Sequence, residues 1–347
     1  MRWLLVFVQS VNEDGLVLDS TNGMSEKVAN LFLYVEGRLI KSLGAIAHDV
    51  DGSDDQIATF LQAQVAADSL RAVRYPLPIA SIKSWLGIDA QNGLCYEYFS
   101  YLHRTGKALL LFEVPLQAIS APENPFVCFT SIVDGKPKCD VIAHADPLTC
   151  PIIDSNEFDG IVKRTDWLAA YMKSDGVDVH ELLADDFTDA IKLLFAHKHY
   201  VSALKLIMSF VDTVAYLDLG DIPGNFEAWL SKYATLAPVG VTPSELWEFR
   251  NAILHTTSPL SRKVISGKVP PIGCHVDHES KSVRIDRNSG TKMFSFESLY
   301  DSLVEAIEMW VKSYSGNLGK QVEFIQRYDS VLSEGRLATF SSRMTDI

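Results

Sequence analysis

Arg250, Asn251 and His255 fall within the six residues Arg-Asn-Ala-Ile-Leu-His, the one short segment of this 347-residue chain that combines phosphate-binding and proton-transfer chemistry. A guanidinium is a planar fork whose donors match phosphate oxygens. An imidazole gives and takes protons near neutrality, and a carboxamide can position a ligand by hydrogen bonds. Together they suit cleavage of a phosphodiester. A base removes the proton of the attacking hydroxyl, an acid protonates the departing oxygen, and a cation stabilises the charge that builds at phosphorus.

Such residues need a rigid carrier, and the flanking sequence predicts a helix. Thr242 is an N-cap, Pro243 occupies the first helical position, and Glu245 stands three residues after the cap to complete a capping box. Leu246, Trp247, Phe249, Ile253 and Leu254 form a broad apolar stripe, and Thr257-Ser258-Pro259 ends the run. At about 100° per residue, Arg250 lies inside the stripe between Leu246 and Leu254, where an unpaired charge is costly. Asn251 and His255, four residues apart, share another side.

This segment resembles the R-N-x-x-x-H motif of the HEPN superfamily, with Arg250, Asn251 and His255 at the motif positions. The resemblance implies an all-helical fold and a metal-independent ribonuclease that needs no cofactor, of the kind found in toxin-antitoxin, abortive-infection and CRISPR-associated systems. It therefore implies a role in phage defence or as a toxin. His255 would be acid or base, Arg250 the phosphate clamp and Asn251 a positioning donor. One histidine cannot serve both sides of an in-line displacement, so two motif helices meeting in a homodimer would complete the site, as in similar HEPN enzymes. A second reading stays open: a non-catalytic HEPN-like module that binds RNA or a nucleotide, or that only dimerises.

The likeness spans about residues 180–335. Helices are expected at Asp185 to Lys198, Tyr200 to Leu219 and Phe296 to Tyr314, each with an apolar stripe at helical spacing, and a shorter one at Phe226 to Tyr233. Asp185, Asp186 and Asp189 are expected in a first helical turn, complementing the helix dipole, and His197 and His199 at a helix junction. Between the motif helix and the closing helix, Ile272 to Asp277 and Val283 to Asp286 are expected to pair as a hairpin, with Asn288-Ser289-Gly290 as a further turn. This insertion holds Arg262, Lys263, Lys268, Lys281, Arg284, Arg287 and Lys292 against Asp277, Glu279 and Asp286. In a chain of net charge −13 it is a basic island, and Arg262, Lys263, Lys268, Arg284 and Arg287 are its candidates for holding an RNA backbone; the plainer alternative is a solvated hairpin.

The first half predicts an α+β domain. Strands are expected at Trp3 to Val8, Leu16 to Leu18, Ala108 to Val114, Phe126 to Val133 and Cys139 to His144, the last two joined through Asp134-Gly135-Lys136. Helices are expected at Glu26 to Leu43, Asp54 to Arg74 and Tyr96 to Arg104. No phosphate-cradling glycine loop follows a strand, which argues against a nucleotide-sensing Rossmann-like domain. Asp49, Asp51, Asp54 and Asp55 lack the glycine and closing glutamate of a calcium loop, and Cys274, His275 and His278 lack a fourth ligand for zinc, so no metal site is expected.

The expected organisation is an α+β domain over 1–160, a sensor, partner-binding or regulatory unit for a protein or small-molecule signal, then an all-α HEPN-like helical bundle with a β-hairpin insertion over 178–335, and a tail, 336–347. The boundary falls at 150–180, where Pro147, Pro151 and Ser174-Asp175-Gly176 interrupt periodicity. The first apolar run, six residues long, is too short for a signal-peptide core or a membrane span. The five cysteines, Cys95, Cys128, Cys139, Cys150 and Cys274, include no C-x-x-C pair, which suits reduced thiols in a cytoplasm.

Overall fold

The computed structural model describes residues 25–142, 149–151, 163–165, 167–257, 260–277 and 279–331. The expected strands at Trp3 to Val8 and Leu16 to Leu18, the end of that at Cys139 to His144, Ser258-Pro259, His278 and the tail lie outside the described residues. The chain divides into two compact units, residues 1–177 with 332–347, and residues 178–331. An N-terminal sheet and a C-terminal helical region make the protein mixed α and β.

The N-terminal unit is built on β1 (Glu26–Glu36), where a helix was expected. The spacing of Val28, Leu31, Phe32, Val35 and Leu39 matches a helical stripe, but Ala29, Leu33 and Tyr34 fill the gaps. Every residue from Val28 to Val35 is buried. A strand covered on both faces reads as one continuous apolar run, and periodicity then loses its power to tell strand from helix. The two-residue loop Gly37-Arg38, with Gly37 at φ 62°, turns the chain into β2 (Leu39–Val50), which pairs antiparallel with β1.

Helix α1 (Asp54–Arg71) starts at a Ser53–Gln56 capping box and stops short of the expected Arg74, because Val73–Pro76 leaves as β3 to pair with β2. There follow α2 (Ile79–Leu86), β4 (Leu94–Cys95) beside β2, and α3 (Tyr96–Arg104), the last as expected. The expected strand at Ala108 to Val114 is instead a 3₁₀ turn, Ala108–Phe112, running into α4 (Glu113–Ala118). Ala-Leu-Leu-Leu-Phe has no β-branched residue, and its buried members, Ala108, Leu111 and Phe112, are spaced three and four apart.

Strands β5 (Val127–Val133) and β6 (Lys136–Ile142) form the expected hairpin. Asp134 and Gly135 both take positive φ, 52° and 76°, as a tight two-residue turn requires. The sheet order is β3-β2-β1-β5-β6, with β1 and β5 parallel. Helix α1 covers one face through Ile57, Ala58, Leu61 and Val65 against Val28, Phe32, Cys128 and Ile132. Phe99 and Phe112 cover Phe129 on the other, with ring centroids 5.6 Å away in each case. Two short antiparallel pairs complete the unit, β7 (Thr149–Pro151) with β8 (Lys163–Thr165) and β9 (Met172–Lys173) with β10 (Gly176–Val177).

The second unit opens with α5 (Val179–Leu183), capped by the Asp178 side chain. It passes through a π-helical turn, Ala184–Thr188, into α6 (Asp189–Ala196). The helix thus begins earlier than Asp185, and Asp185 and Asp186 lie inside it rather than in a first turn; Asp186 accepts a hydrogen bond from the Tyr328 hydroxyl at 2.9 Å. After a junction at His197, Lys198 and His199, α7 (Tyr200–Leu219) forms the centre of the bundle. It packs against α6, α8 (Asn225–Tyr233), α9 (Pro243–Thr256) and α12 (Leu318–Tyr328).

By length and composition α7 is the one described helix that could cross a membrane. Its apolar content has another use here, since Leu204, Ile207, Met208, Val211 and Val214 are all buried within the unit.

The insertion differs from the expected hairpin. After α10 (Arg262–Ile265), β11 (Ile272–His275) pairs in parallel with β13 (Lys292–Ser295), and β12 (Arg284–Ile285) pairs antiparallel with the same strand. The tight turn is the one around Asn288-Ser289-Gly290, where Asp286 accepts from the backbone N–H groups of Asn288 and Gly290. The long way round from β11 to β12 therefore goes to opposite sides of β13. Helix α11 (Phe296–Lys312) starts at the end of β13, and α12 follows it.

Candidate functional site

Helix α9 has the start that the sequence predicts. The Thr242 hydroxyl accepts from the Glu245 N–H at 3.2 Å, and Glu245 Oε2 accepts from the Thr242 N–H at 2.8 Å. Lys292 of β13 adds an ammonium 2.7 Å from Glu245 Oε1, which ties the insertion to the first turn of α9. Leu246, Phe249, Ala252 and Ile253 are buried, and Phe249 meets Phe294 of β13 edge to face at 5.5 Å.

Arg250 finds the partner that its place in the apolar stripe demands. Its Nε donates to Asp212 Oδ2 of α7 at 2.5 Å, and Nη2 is close to the same oxygen. Nη1 donates to Asn251 Oδ1 at 2.9 Å, and the guanidinium carbon lies 5.1 Å from the centre of the Trp247 ring. Of five guanidinium hydrogens these contacts engage three, so among the described residues one on each terminal nitrogen is left for a ligand. The Arg250 side chain keeps 22% of its surface exposed, enough for an anion to reach it. Burial pushes the Asp212 carboxyl above the usual range, and the hydrogen bond and charge of Arg250 only partly pull it back.

His255 is exposed in the last turn of α9, and Asn251 is partly buried one turn before it. Beyond them the helix ends at Thr257, held in the left-handed region at φ 55°, with its hydroxyl accepting from Lys205 Nζ of α7 at 2.8 Å. The two helices are therefore joined along one seam by Asp212–Arg250 and by Lys205–Thr257. Helix α9 thus carries one guanidinium and one imidazole.

The basic island proves less available than its charge count suggests. Lys263 pairs with buried Glu248 at 2.8 Å, Arg284 with Asp277, Lys281 with Asp301 and Lys292 with Glu245. Arg262, Lys268 and Arg287 are exposed and make no ion pair among the described residues.

Burial, with Glu297 adding to it, pushes the Cys274 thiol up to about 12, and His275 Nε2 contacts the Ser282 carbonyl at 3.0 Å. Among the described residues no three His, Cys, Asp or Glu side chains gather to hold a metal ion. Asp49 and Asp54 lie at the end of β2 and the start of α1, beside the Ser53 cap.

Asp212, Trp247, Lys205 and Thr257 went unread as site residues in the sequence. The one local signal was complementary: Asp212, an acid within the apolar helix α7, and a lone arginine in the apolar stripe of α9, each in need of an opposite charge. Family models, curated proteins and solved structures provide no match to this chain.

Proposed function

We propose that this protein is a metal-independent endoribonuclease of HEPN type, whose site is completed by two copies of α9 in a homodimer. The observation that carries the reading is Arg250. Asp212 and Asn251 fix its guanidinium, two donors remain among the described residues, and His255 is exposed one helix turn past Asn251. The 2′-oxygen of RNA attacks phosphorus while one histidine takes its proton, and the P–O5′ bond breaks as the second histidine protonates the leaving oxygen. The products are a 2′,3′-cyclic phosphate and a 5′-hydroxyl. Arg250 supplies the cation that stabilises the phosphorane, and Asp212 positions it. The N-terminal α+β unit would restrain the nuclease or sense a protein or small-molecule signal.

A different reading draws on the same arginine. With Nε and Nη2 already on Asp212, the guanidinium also suits a module that binds a phosphate, or that dimerises, without chemistry. Incubating the full chain with single-stranded RNA in EDTA, with sedimentation to report its oligomeric state, separates the two. Cleavage by the wild type that is lost in Arg250→Ala and His255→Ala, with the dimer kept, supports the enzyme. Cleavage that persists in both variants overturns the site. RNA binding without cleavage selects the module.

A further inference from the structure

We infer that the α7–α9 seam, and not the β11–β13 sheet, carries the RNA backbone away from Arg250, with Lys205 and the Thr257 hydroxyl as a second phosphate contact. This rests on the RNA-binding reading above and goes on to say where the strand runs. Lys205 precedes Asp212 by seven residues on α7, and Thr257 follows Arg250 by seven on α9. The helices are thus antiparallel, and the two contacts lie about 10 Å apart along one seam. A short single strand can touch both.

Charge availability separates the two surfaces. On the strands themselves both cations, Arg284 and Lys292, already face carboxylates, as do Lys263 and Lys281 in the flanking segments, whereas Arg262, Lys268 and Arg287 lie off the strands, exposed and without an ion pair among the described residues. Lys205 has a hydroxyl for its partner, no acid among the described residues, and two ammonium hydrogens still free. The Thr257 hydroxyl accepts from Lys205 and keeps its own proton to donate to a ligand.

The backbone supplies an independent observation. Thr257 sits at φ 55° and ψ 23°, where glycine is the ordinary occupant and a β-branched residue is an outlier. Glycine would end the helix with less strain, so what threonine adds is its hydroxyl. Strain of this kind gathers where a side chain is needed for a ligand.

The test uses the full chain and a fluorescein-labelled, mixed-sequence 2′-O-methyl oligonucleotide, which lacks the attacking hydroxyl and remains intact. Anisotropy titrations over a range of salt give both the affinity and its salt dependence. Lys205→Ala is expected to weaken binding several-fold and to make the slope of log K against log salt shallower by about 0.7, one phosphate contact on a single strand. Thr257→Gly should weaken binding without lowering Tm, Lys205→Arg should retain it, and Arg284→Ala should leave affinity and slope as they are. Wild-type binding with an unchanged slope in Lys205→Ala overturns this inference alone, as does a loss in Arg284→Ala that exceeds it. A wild type that binds no oligonucleotide overturns it together with the reading beneath it.

Discussion

Asp68 in the N-terminal unit and Asp212 in the helical unit are both aspartates on helices that hold an arginine, yet they are built to opposite ends. Asp68 is fully buried and saturated. Asn30 Nδ2 donates to it at 2.8 Å, His48 Nε2 lies 2.7 Å away, and Arg71 Nη2 donates at 2.7 Å. Burial acts to raise its pKa, but those hydrogen bonds outweigh it and hold the carboxyl below its usual value. Asp212 is a quarter exposed, faces a single arginine, and is pushed the other way. A closed network fixes architecture, here α1 against β1 and β2. An open one leaves donors and surface for a ligand.

The strongest way to break the comparison is to remove each centre and read both stability and activity. Asp68→Ala strands Asn30 and His48 inside the sheet and is expected to cost about 3 kcal/mol, the scale for deleting one partner of a buried pair. Urea unfolding followed by circular dichroism measures it, and a loss under about 1 kcal/mol would mean that the network is not structural. Arg250→Lys keeps the charge but loses the fork. RNA cleavage should fall by about a hundredfold, near 2.7 kcal/mol in the barrier, while Tm moves little. Equal activity in the lysine variant would reduce Arg250 to a point charge.

Acid titration sharpens the same contrast through its sign. The Asp68 pKa is lowered on folding, so its contribution is complete above the unfolded value and is lost as pH falls through the folded one. The Asp212 pKa is raised, so its contribution is present below the unfolded value and is lost as pH rises through the folded one. On acidification from pH 6 to pH 3, about the range of carboxylate titration, wild type should lose its advantage over Asp68→Asn and gain relative to Asp212→Asn. Thermal melts at matched pH report both differences. Two differences of the same sign would dissolve the distinction.

Local chemistry made some of this legible and long-range pairing hid the rest. The Thr242-Pro243-x-Glu245 box placed α9, and an apolar stripe placed α7. Strand β1 hid because burial on both faces erases alternation. Both aspartate networks hid because their partners are far apart in the chain: Asn30 and Asp68 are 38 residues apart, as are Asp212 and Arg250. Around Asp68 local hydropathy even points the wrong way, since Asp68 is buried and Leu70, two residues on, is 86% exposed. For the candidate site, the residue types Arg250, Asn251 and His255 could be read, whereas Asp212, the residue that holds Arg250, could not.

The smaller effects test whether α9 or the insertion governs the candidate site. Thr242→Ala removes half of the capping box and should cost about 1 kcal/mol of stability. The same first turn carries Glu245, which Lys292 holds, so cleavage should fall in step with stability. Arg284 offers the weakest case. Its pair with Asp277 lies on an exposed edge, where ion pairs contribute from nothing to about 1 kcal/mol and salt screens them. Arg284→Ala should therefore shift Tm by no more than a degree or two, and less at high salt. Since its charge is already answered by Asp277, RNA cleavage should not change at all. A measurable loss of cleavage at unchanged Tm would return the basic island to the substrate path and take that role from the α7–α9 seam.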